Sequence, residues 1–516
     1  MNNSKMGKLL GQTAIYGLSS IIGRFLNYLL VPLYTYKIAA ESGGYGIVTN
    51  VYAHTGLLLV LLTFGMETTF FRFATKEKAD PDKAFSTAGL SVGFVSLLFV
   101  IFVMLFLGPI ANSQLFNYPD HPDYIALMAV VVALDAFQAI LFARLRYEER
   151  ALKFVILKLT FIVLNIGMNL FIFLTAPRLV EQFPETLSWY RPEHQVRYIF
   201  VVNLICTALV TFGFIPEIKK LRYGIDFKLL KSMLNYTWPL LLLGLTGMLN
   251  QVADKILYRY LVPGQEGEMQ LGIYGSCVKV AIIMVLITQA FRYAYEPFVF
   301  SDGRDPNNRE MQADVMKYFI IFTLFAFVAV IAYLPLLRYF IALDYREGLK
   351  AIPIVMMAEI FMGIYFNLSF WYKLSDQTWW GAVFSGIGCI VLFAINFIFV
   401  PRIGYMACAW GGFAGYGVCM VLSYIVGQKK SPSPYDLKSA LMYFLLAIGL
   451  VVLIRVMNDV VIDIEDSVLD TVLGLVFNTV IVLAYLAVVA YREKELTKGV
   501  VGFVKSKLKK KNKKTE

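Results

Sequence analysis

The stretch QTAIYGLSSIIGRFLNYLLVPLYTYK, Gln12 to Lys37, decides how the rest of the chain is interpreted. It is predominantly apolar, and at about 1.5 Å per residue a helix of this length crosses a hydrocarbon layer about 30 Å thick. Arg24 nevertheless lies near its middle, about 18 Å from the Gln12 end. Polar residues recur with Arg24 at spacings of three and four, namely Thr13, Tyr16, Ser20 and Asn27. The stretch is therefore predicted to be a membrane-spanning helix with one polar face.

This polar face has two interpretations. An arginine at the bilayer centre costs about 2.5–3.5 kcal/mol on insertion scales, so it is normally turned toward other helices or a water-filled cavity. In the first interpretation Arg24 and Asn27 line such a cavity and bind a ligand. In the second, Arg24 is a structural residue paired with a carboxylate on a neighbouring helix.

The composition places the whole chain in a membrane. Of its 516 residues, 58% are hydrophobic, and the mean hydropathy is +0.65, far above that of a soluble chain of this length. The first apolar stretch is a full span without a signal-peptide cleavage site, so we expect it to be retained. All five cysteines lie in apolar segments, which favours small packing residues over disulfides or metal ligands.

Apolar runs predict about fourteen membrane spans. They cover residues 10–36, 46–73, 85–111, 123–143, 154–176, 198–216, 236–260, 272–300, 316–342, 351–373, 379–400, 405–427, 438–456 and 468–491. Short loops rich in Lys and Arg alternate with loops such as 112–123 and 262–271, which have neither. Both termini are therefore predicted to be cytoplasmic. The basic tail, residues 492–516, either lies against anionic lipid headgroups or is a solvated end.

A repeat indicates two lobes. RFLNYLLVP at 24–32 aligns with KILYRYLVP at 255–263, and Tyr45-Gly46 then aligns with Tyr274-Gly275. Each copy begins on the cytoplasmic side and holds six helices, so the copies are parallel repeats related by an axis along the membrane normal. We predict an all-α polytopic membrane protein with two pseudo-symmetric six-helix lobes around a central cavity, plus two C-terminal helices. The predicted divisions are 1–216 and 236–427 for the lobes, 217–235 for a cytoplasmic linker, 428–491 for the accessory helices and 492–516 for the tail.

Polar and charged residues recur within spans of the second copy. Span 7 carries Asn250, Asp254 and Lys255, and span 8 carries Lys279, Tyr293 and Glu296 at helical spacing, with Arg292 flanking them. Charges turned to lipid would cost several kcal/mol each, so we expect these to face the interior. They either bind a ligand or form internal ion pairs, Asp254 with Lys255 or Arg259 and Glu296 with Arg292.

Three further carboxylates lie in spans of either copy. Glu67 lies at the inner end of span 2, Asp135 in span 4 and Glu359 in span 10. Intramembrane carboxylates are frequent proton or cation sites, so these three, with Asp254 and Glu296, are candidates for coupling transport to H⁺ or Na⁺. The structural alternative is that Glu67 neutralises Arg72 and that Asp135 and Glu359 make polar contacts between helices.

No motif for catalysis is complete. The three histidines are isolated, without H-E-x-x-H spacing, and no phosphate-binding G-x-x-x-x-G-K-[ST] loop occurs. Asp80-Pro81-Asp82 has the spacing with which sugar transferases hold a metal-bound nucleotide sugar, but it stands in a turn-forming stretch with no domain around it. The alternative of a membrane-embedded polymerase or ligase would need a long reactive outer loop, and the longest, 177–197, has His194 but no evident nucleophile. We expect a protein that is not an enzyme and that has no cofactor, metal or nucleic-acid partner.

Several of these stretches resemble the polysaccharide exporters of the multidrug/oligosaccharidyl-lipid/polysaccharide superfamily, the Wzx-type flippases. They are Val31-Pro32 before Gly44-Tyr45-Gly46, QVADK at 251–255 followed by LGIYG at 271–275, Glu296-Pro297-Phe298, WYKLSDQT at 371–378 and VPRIGYMACAW at 400–410. The resemblance covers the first twelve spans. It implies two lobes around a cavity and movement of an isoprenoid-diphosphate-linked oligosaccharide from the inner to the outer leaflet of the bacterial cytoplasmic membrane. The product would serve O-antigen, capsule or exopolysaccharide synthesis, with a polysaccharide polymerase and export machinery as partners.

The resemblance also implies roles for the candidate residues. Lipid II flippases hold the diphosphate with basic residues of the first helix, and Arg24 is the positional match. Counter-charge would also come from Lys255, Lys279 and Arg292, and Asn27, Asn250 and Tyr293 complete the predicted substrate-binding set. A lipid II flippase or a cation-coupled multidrug exporter of the same superfamily are the alternatives. Drug exporters favour a carboxylate-rich cavity, whereas the balance of charges here is slightly basic.

Overall fold

The computed structural model contains no β-strand in the part of the chain that it describes. It describes residues 23, 25, 26, 28–75, 80–185, 187–222, 224–302, 308–375, 377–458 and 468–494. The side chains at 294, 296–298, 300–302, 308 and 468–470 are not part of this description. Arg24, Asn27 and the side chain of Glu296 therefore lie outside the described residues, and their roles stay predictions.

The long helices follow the predicted spans in order. They are α1 (Leu30–Lys37, the described end of the first span), α2a (Gly44–Thr63), α2b (Met66–Ala74), α3 (Pro81–Leu105), α4 (Pro122–Tyr147), α5 (Ala151–Leu170), α6 (Gln195–Gly213), α7 (Phe227–Leu261), α8 (Gln265–Asp302), α9 (Asn308–Ala332), α10 (Ile352–Leu368), α11 (Trp379–Ile403), α12 (Met406–Lys430), α13 (Leu437–Val456) and α14 (Val468–Arg492). Among the described residues, 13 helices are long and apolar enough to cross a membrane. The predicted all-α polytopic membrane fold is confirmed.

Short polar signals set several helix boundaries. Asp80 accepts hydrogen bonds from the backbone N–H groups of Asp82 and Lys83 and so caps the start of α3. Asp82 in turn pairs with Arg144 of α4. The Asp80-Pro81-Asp82 sequence is thus a helix start tied to a neighbouring helix. Asp226 caps the start of α7 in the same way.

The second span is interrupted between α2a and α2b. Phe64 and Gly65 adopt left-handed backbone conformations, with φ of 50° and 68°. Thr237 of α7 donates a hydrogen bond to the Phe64 carbonyl at 2.6 Å, which satisfies a carbonyl freed by the interruption. A Cβ on Gly65 would lie 2.7 Å from the Thr237 hydroxyl, so this close approach requires glycine.

The first of two compact units, Met1–Gly303 with Phe340–Ser431, contains the two lobes. In lobe 1 (α1–α6), α4 packs against α2a, α3 and α6, and α5 packs against α6. In lobe 2 (α7, α8 and α10–α12), α10 packs against α8 and α12, and α11 packs against α12. The same packing pattern recurs in both lobes: α4 contacts α2a and α6, and α10 contacts α8 and α12. Helices that correspond in the sequence repeat therefore have corresponding neighbours.

Ion pairs tie together the predicted inner end of lobe 1. Glu217, which is fully buried, accepts hydrogen bonds from Arg150 at 2.6 Å and from Lys153 at 2.5 Å. Glu148 pairs with Arg144 and Lys220, at 2.7 Å in each case. Because a buried carboxylate is tolerated only when paired, the basic residues that indicated a cytoplasmic side also serve as structural partners.

The second compact unit, Arg304–Tyr339 with Pro432–Glu516, contains α9, α13 and α14. Asn478 of α14 donates to the Ala332 carbonyl of α9 at 2.8 Å, and the Tyr485 hydroxyl donates to the Ile321 carbonyl at 2.9 Å. The sequence predicts α9 within the C-terminal lobe, whereas compact packing groups it with the last two helices. The buried polar groups of α14 find their partners on the α9 backbone, which accounts for this difference. The residue boundaries of the lobes stay predictions.

Candidate functional site

The two lobes meet at one end of the first unit, which we call the joint. It comprises the start of α2a, the start of α8, the outer half of α7 and the loops 38–43, 106–121 and 340–351, all on the predicted outer side. Helices α2a and α8 cross so closely that a Cβ on Gly46 would lie 1.8 Å from the Glu268 carbonyl oxygen. A Cβ on Gly272 would lie 3.0 Å from the Gly46 nitrogen. These glycines permit backbone contact between the lobes.

Buried hydrogen bonds complete the joint. Asn50 of α2a donates to the backbone carbonyl of Lys255 on α7 at 3.1 Å and accepts from the Tyr118 hydroxyl at 3.1 Å. Burial raises the pKa of the Tyr118 phenol above its usual range, so the hydroxyl remains a donor. The Tyr345 hydroxyl donates to the Ile38 carbonyl at 2.9 Å. In this conformation the lobes are therefore held together at the predicted outer end.

Several predicted charges meet in lobe 2, directly beside the joint. This lobe-2 cluster comprises Asp254, Lys255, Tyr274, Lys279 and Glu359, from helices α7, α8 and α10. The Lys255 ammonium lies 2.9 Å from each carboxylate oxygen of Asp254, and the Tyr274 hydroxyl donates to Asp254 at 2.9 Å. The ion pair between Asp254 and Lys255, one of the two predicted pairings of Asp254, is therefore present in the structure. The Tyr274 hydroxyl adds a third group to this ion pair.

The other two charges of the lobe-2 cluster are incompletely paired. Lys279 is half-buried, and its ammonium lies 5.4 Å from the ring centroid of Tyr28. Within the described part of the chain it has no carboxylate partner, and its charge interacts with that of Lys255. Glu359, also half-buried, interacts electrostatically with Lys255 and Asp254 but makes no hydrogen bond or ion pair to a described residue. Of the two ammonium groups in this cluster, Lys255 is paired with Asp254, whereas Lys279 has no described carboxylate partner and can accept an anion.

Asn250 lies one turn before this cluster on α7. Its amide nitrogen donates to the Thr246 carbonyl and to the Ser385 carbonyl, at 2.9 Å in both cases. Its amide oxygen is buried and has no hydrogen-bond partner among the described residues. The amide therefore connects α7 to α11, and only its oxygen remains for the predicted ligand contact.

Arg292 and Tyr293 lie elsewhere. They follow Lys279 on α8 by 13 and 14 positions, which is about 20 Å along the helix. The Arg292 guanidinium lies 4.5 Å from the ring centroid of Phe366, and Lys373 lies 4.3 Å from the same ring. Tyr293 is 40% exposed. The structure does not bring Arg292 and Tyr293 into the lobe-2 cluster. The sequence grouped them with Lys279 because helical spacing shows which side chains share a face of a helix. It does not show how far apart they lie along the helix.

The lobe 1 carboxylates are separate from the lobe-2 cluster. Glu67 pairs with Arg146 of α4 at 2.8 Å, whereas Arg72 lies 4.0 Å from the ring centroid of Tyr236. The interpretation that Glu67 neutralises Arg72 is therefore wrong about the partner, because α4 presents Arg146 to α2b.

Asp135 faces a polar patch inside lobe 1. It is half-buried and interacts electrostatically with Lys158. Its neighbour Tyr52 accepts a hydrogen bond from the Asn203 amide at 2.7 Å, and Gln138 donates to the Thr207 carbonyl at 2.9 Å. These contacts place Asp135 among α2a, α5 and α6 of lobe 1.

Arg259 is a functional candidate that sequence reasoning treated only as a partner for Asp254. It is 2% exposed, and one terminal nitrogen lies 2.8 Å from Glu268 and donates to the Asn117 carbonyl at 3.1 Å. Its guanidinium also lies 5.3 Å from the ring centroid of Tyr118. The available sequence signal is its position four residues after Lys255, on the same face of α7.

Comparison with known proteins identifies the fold and the family. A model of the family described as "Polysaccharide biosynthesis protein" matches residues 9–294, more than half of the chain. Among solved structures, the chain is similar to the lipid II flippase MurJ in an inward closed conformation, with 16% identity and a TM-score of 0.68 over 92% of this chain and 98% of that one. It is also similar to the MATE multidrug transporter DinF-BH, with 15% identity and a TM-score of 0.59 over 83% and 97% of the two chains. No curated protein matched the sequence.

At these identities the structural similarity shows a shared fold. It is the two-lobed membrane fold of MurJ and the MATE transporters, as the resemblance implied. The family match and this shared fold agree with the superfamily that the resemblance indicated. The chain belongs to the family described as "Polysaccharide biosynthesis protein".

Proposed function

We propose that this protein moves an isoprenoid-diphosphate-linked oligosaccharide from the inner to the outer leaflet of the bacterial cytoplasmic membrane, with both termini cytoplasmic. The observation that carries the proposal is the lobe-2 cluster. Within a fold of membrane spans, Lys255 and Lys279 supply two cations beside the joint between the lobes, and Lys279 has no carboxylate partner in the described chain. The role is transport without chemical change of the lipid.

The charge of the substrate explains why such a cluster is needed. A diphosphate carries about two negative charges, and moving them through hydrocarbon without counter-charge is prohibitively costly. Two ammonium groups can replace hydration by charge-assisted hydrogen bonds. The isoprenoid chain remains in lipid throughout, so the protein needs to solvate only the diphosphate and the sugars. Arg24, in the first span, is proposed as a further cation for the same group.

The arrangement of the lobes supports alternating access. Hydrogen bonds and backbone contacts close the joint at the predicted outer end. In our proposal, rocking of the lobes opens the joint while the site on α7 and α8 stays with lobe 2. Asp254 and Glu359, which compete for Lys255, are the proposed positions for coupling to H⁺ or Na⁺. Asp135 is a second candidate within lobe 1.

A lipid II flippase is the second candidate. The observation in its favour is the similarity to MurJ, which extends over nearly all of both chains, whereas the similarity to the MATE transporter DinF-BH covers 83% of this chain. The substrates share the isoprenoid diphosphate and differ in the saccharide. The lobe-2 cluster would serve either one. A polysaccharide polymerase and export machinery are proposed partners only of the first activity.

The experiment that tests the proposal is a lipid extraction from cells that lack the protein, with isoprenoid-linked saccharides separated by mass spectrometry. Accumulation of one lipid-linked oligosaccharide, reversed by the wild-type gene, is the expected result. Accumulation of lipid II would assign the second candidate activity. No accumulation, combined with new sensitivity to cationic drugs, would overturn both and indicate a multidrug exporter.

A further inference from the structure

Arg259 is an almost completely buried cation in the joint, one turn beyond Lys255. We propose that Arg259 is a second binding position for the substrate diphosphate, paired with the Glu268 carboxylate while the joint is closed and open to competition from substrate once the joint opens. This inference rests on the proposed function and extends it, because it assigns a separate position to the outward-facing stage. A lipid diphosphate would then pass from Lys255 and Lys279 to Arg259 before release.

The geometry of α7 supports a path between the two positions. Residues four apart lie on the same face of a helix and about 6 Å apart along its axis. Lys255 and Arg259 therefore form two successive cations on α7, and Arg259 is the one nearer to the predicted outer end. A diphosphate has two phosphate groups a few ångströms apart, so it can contact the second cation before it leaves the first.

The bonding of Arg259 is incomplete in the closed conformation. A guanidinium has five N–H donors, yet its Nε and Nη1 atoms are buried and, apart from the approach of the guanidinium to Tyr118, make no hydrogen bond to a described residue. Its remaining nitrogen bonds to Glu268 and to the Asn117 carbonyl. Leaving buried donors unpaired costs free energy, so the site is better matched to a ligand with more acceptor oxygens than one carboxylate. Phosphate groups provide these oxygens and bind arginine bidentately.

The contacts of Arg259 divide between the two lobes. Asn117 and Tyr118 belong to lobe 1, whereas Glu268 belongs to lobe 2, as does Arg259 itself. Separation of the lobes would remove the carbonyl and the aromatic ring but leave Glu268 in place. Glu268 then acts as a competing anion that must be displaced by substrate and that returns when substrate leaves. This competition allows the diphosphate to dissociate from Arg259, since an arginine without a competing carboxylate would bind the diphosphate too tightly.

The test is equilibrium binding of farnesyl diphosphate to the full-length protein in phosphatidylcholine nanodiscs. We expect Glu268→Gln to bind about fivefold more tightly than wild type, because the competing charge is removed. Glu268→Gln combined with Arg259→Gln should lose this gain. Asp123→Asn is the matched control, since Asp123 pairs with Arg197 at 3.3 Å on the same predicted side but outside the joint. Melting temperatures of all variants verify folding, and Arg259→Lys, which keeps the charge, provides a milder variant.

Each outcome distinguishes this inference from the proposed function. If wild type binds farnesyl diphosphate through Lys279 but Glu268→Gln brings no gain, or if the gain survives Arg259→Gln, the second position does not exist. If wild type shows no binding, both proposals fail. If added phosphatidylglycerol removes the gain, Arg259 recognises phospholipid headgroups, and its assignment to the substrate is overturned.

Discussion

The side-chain amide of Asn50 donates a hydrogen bond to the backbone carbonyl of Lys255 across the joint, at 3.1 Å. Asn50 belongs to lobe 1 and is fully buried, whereas the Lys255 ammonium pairs with Asp254 in the lobe-2 cluster. Lys255 thus contributes its backbone to the joint and its side chain to the cluster. Separation of the lobes must therefore break the hydrogen bond from Asn50 to the turn of α7 that carries Lys255.

Replacing Asn50 by Leu should lower the population of the closed joint. The change removes the donor to Lys255 and the acceptor for Tyr118, and each unpaired buried group costs about 1–3 kcal/mol. Double electron–electron resonance between spin labels at 41 and 265 measures the effect, because the Gln265 side chain donates to the Glu41 carbonyl at 2.9 Å in the closed conformation. We expect a new population at longer distance.

The control for Asn50 is Asn112→Leu, since the Asn112 amide is exposed and bonds only locally, to the Gly108 carbonyl at 2.9 Å. An Asn50→Leu distance distribution identical to that of wild type would show that this hydrogen bond does not hold the joint closed. All five native cysteines are buried and free, and their replacement provides the background for labelling.

Replacing Gly46 by Ala should prevent closure of the joint. The new Cβ would lie 1.8 Å from the Glu268 carbonyl oxygen, a backbone atom that cannot turn aside. We expect longer distances between labels at 41 and 265 and loss of transport. Gly247→Ala is the matched control on α7, because its Cβ would meet no described atom within 4 Å. Normal transport by Gly46→Ala would show that the crossing of α2a and α8 is not needed.

Replacing Lys279 by Gln should abolish transport without loss of the folded protein. Lys279 has no described carboxylate partner, so its removal leaves no buried charge uncompensated. Lys279→Arg keeps the charge and should retain part of the activity. The amount of lipid-linked oligosaccharide that accumulates in cells is the measurement. Lys350→Gln is the control, because Lys350 pairs with Glu347 on an exposed surface. Full activity of Lys279→Gln would remove the lobe-2 cluster from the mechanism.

Acidification should weaken the predicted inner end of lobe 1. Burial alone would raise the pKa of Glu148, but hydrogen bonds from Lys220 and Arg144 outweigh it and hold the pKa below its usual value. A lowered pKa adds stability above the unfolded pKa, about 4.3, which is lost as the pH falls through the folded value. The melting temperature of the purified protein should therefore drop below about pH 4.

Glu148→Gln provides the comparison for that measurement. It should melt at a lower temperature than wild type at neutral pH, because Lys220 and Arg144 lose their charged partner, and its melting temperature should change less on acidification. Parallel pH profiles for wild type and variant would assign the acid sensitivity to other groups.

The spans and the family were predictable because both depend on short stretches of chain. A run of about twenty apolar residues is sufficient to predict a span, and the repeat at 24–32 and 255–263 was visible as an alignment. The pairing of Asp254 with Lys255 was likewise predictable, since adjacent residues can meet without knowledge of the fold. The same local reasoning assigned Glu67 to Arg72, five positions away, and was wrong because Arg146 approaches from another helix.

The sequence by itself determined that this is a two-lobed membrane protein of many helices with charges inside its spans, because hydropathy and the cost of burying charge act on each segment separately. Only the tertiary structure decided which of those charges share a site. It separated Arg292 from Lys279, brought both Lys279 and Glu359 within the electrostatic influence of Lys255, and placed Arg259 in the joint. The physical reason is that depth in the membrane and the crossing of α2a with α8 depend on contacts between residues more than 200 positions apart, such as Asn50 and Lys255.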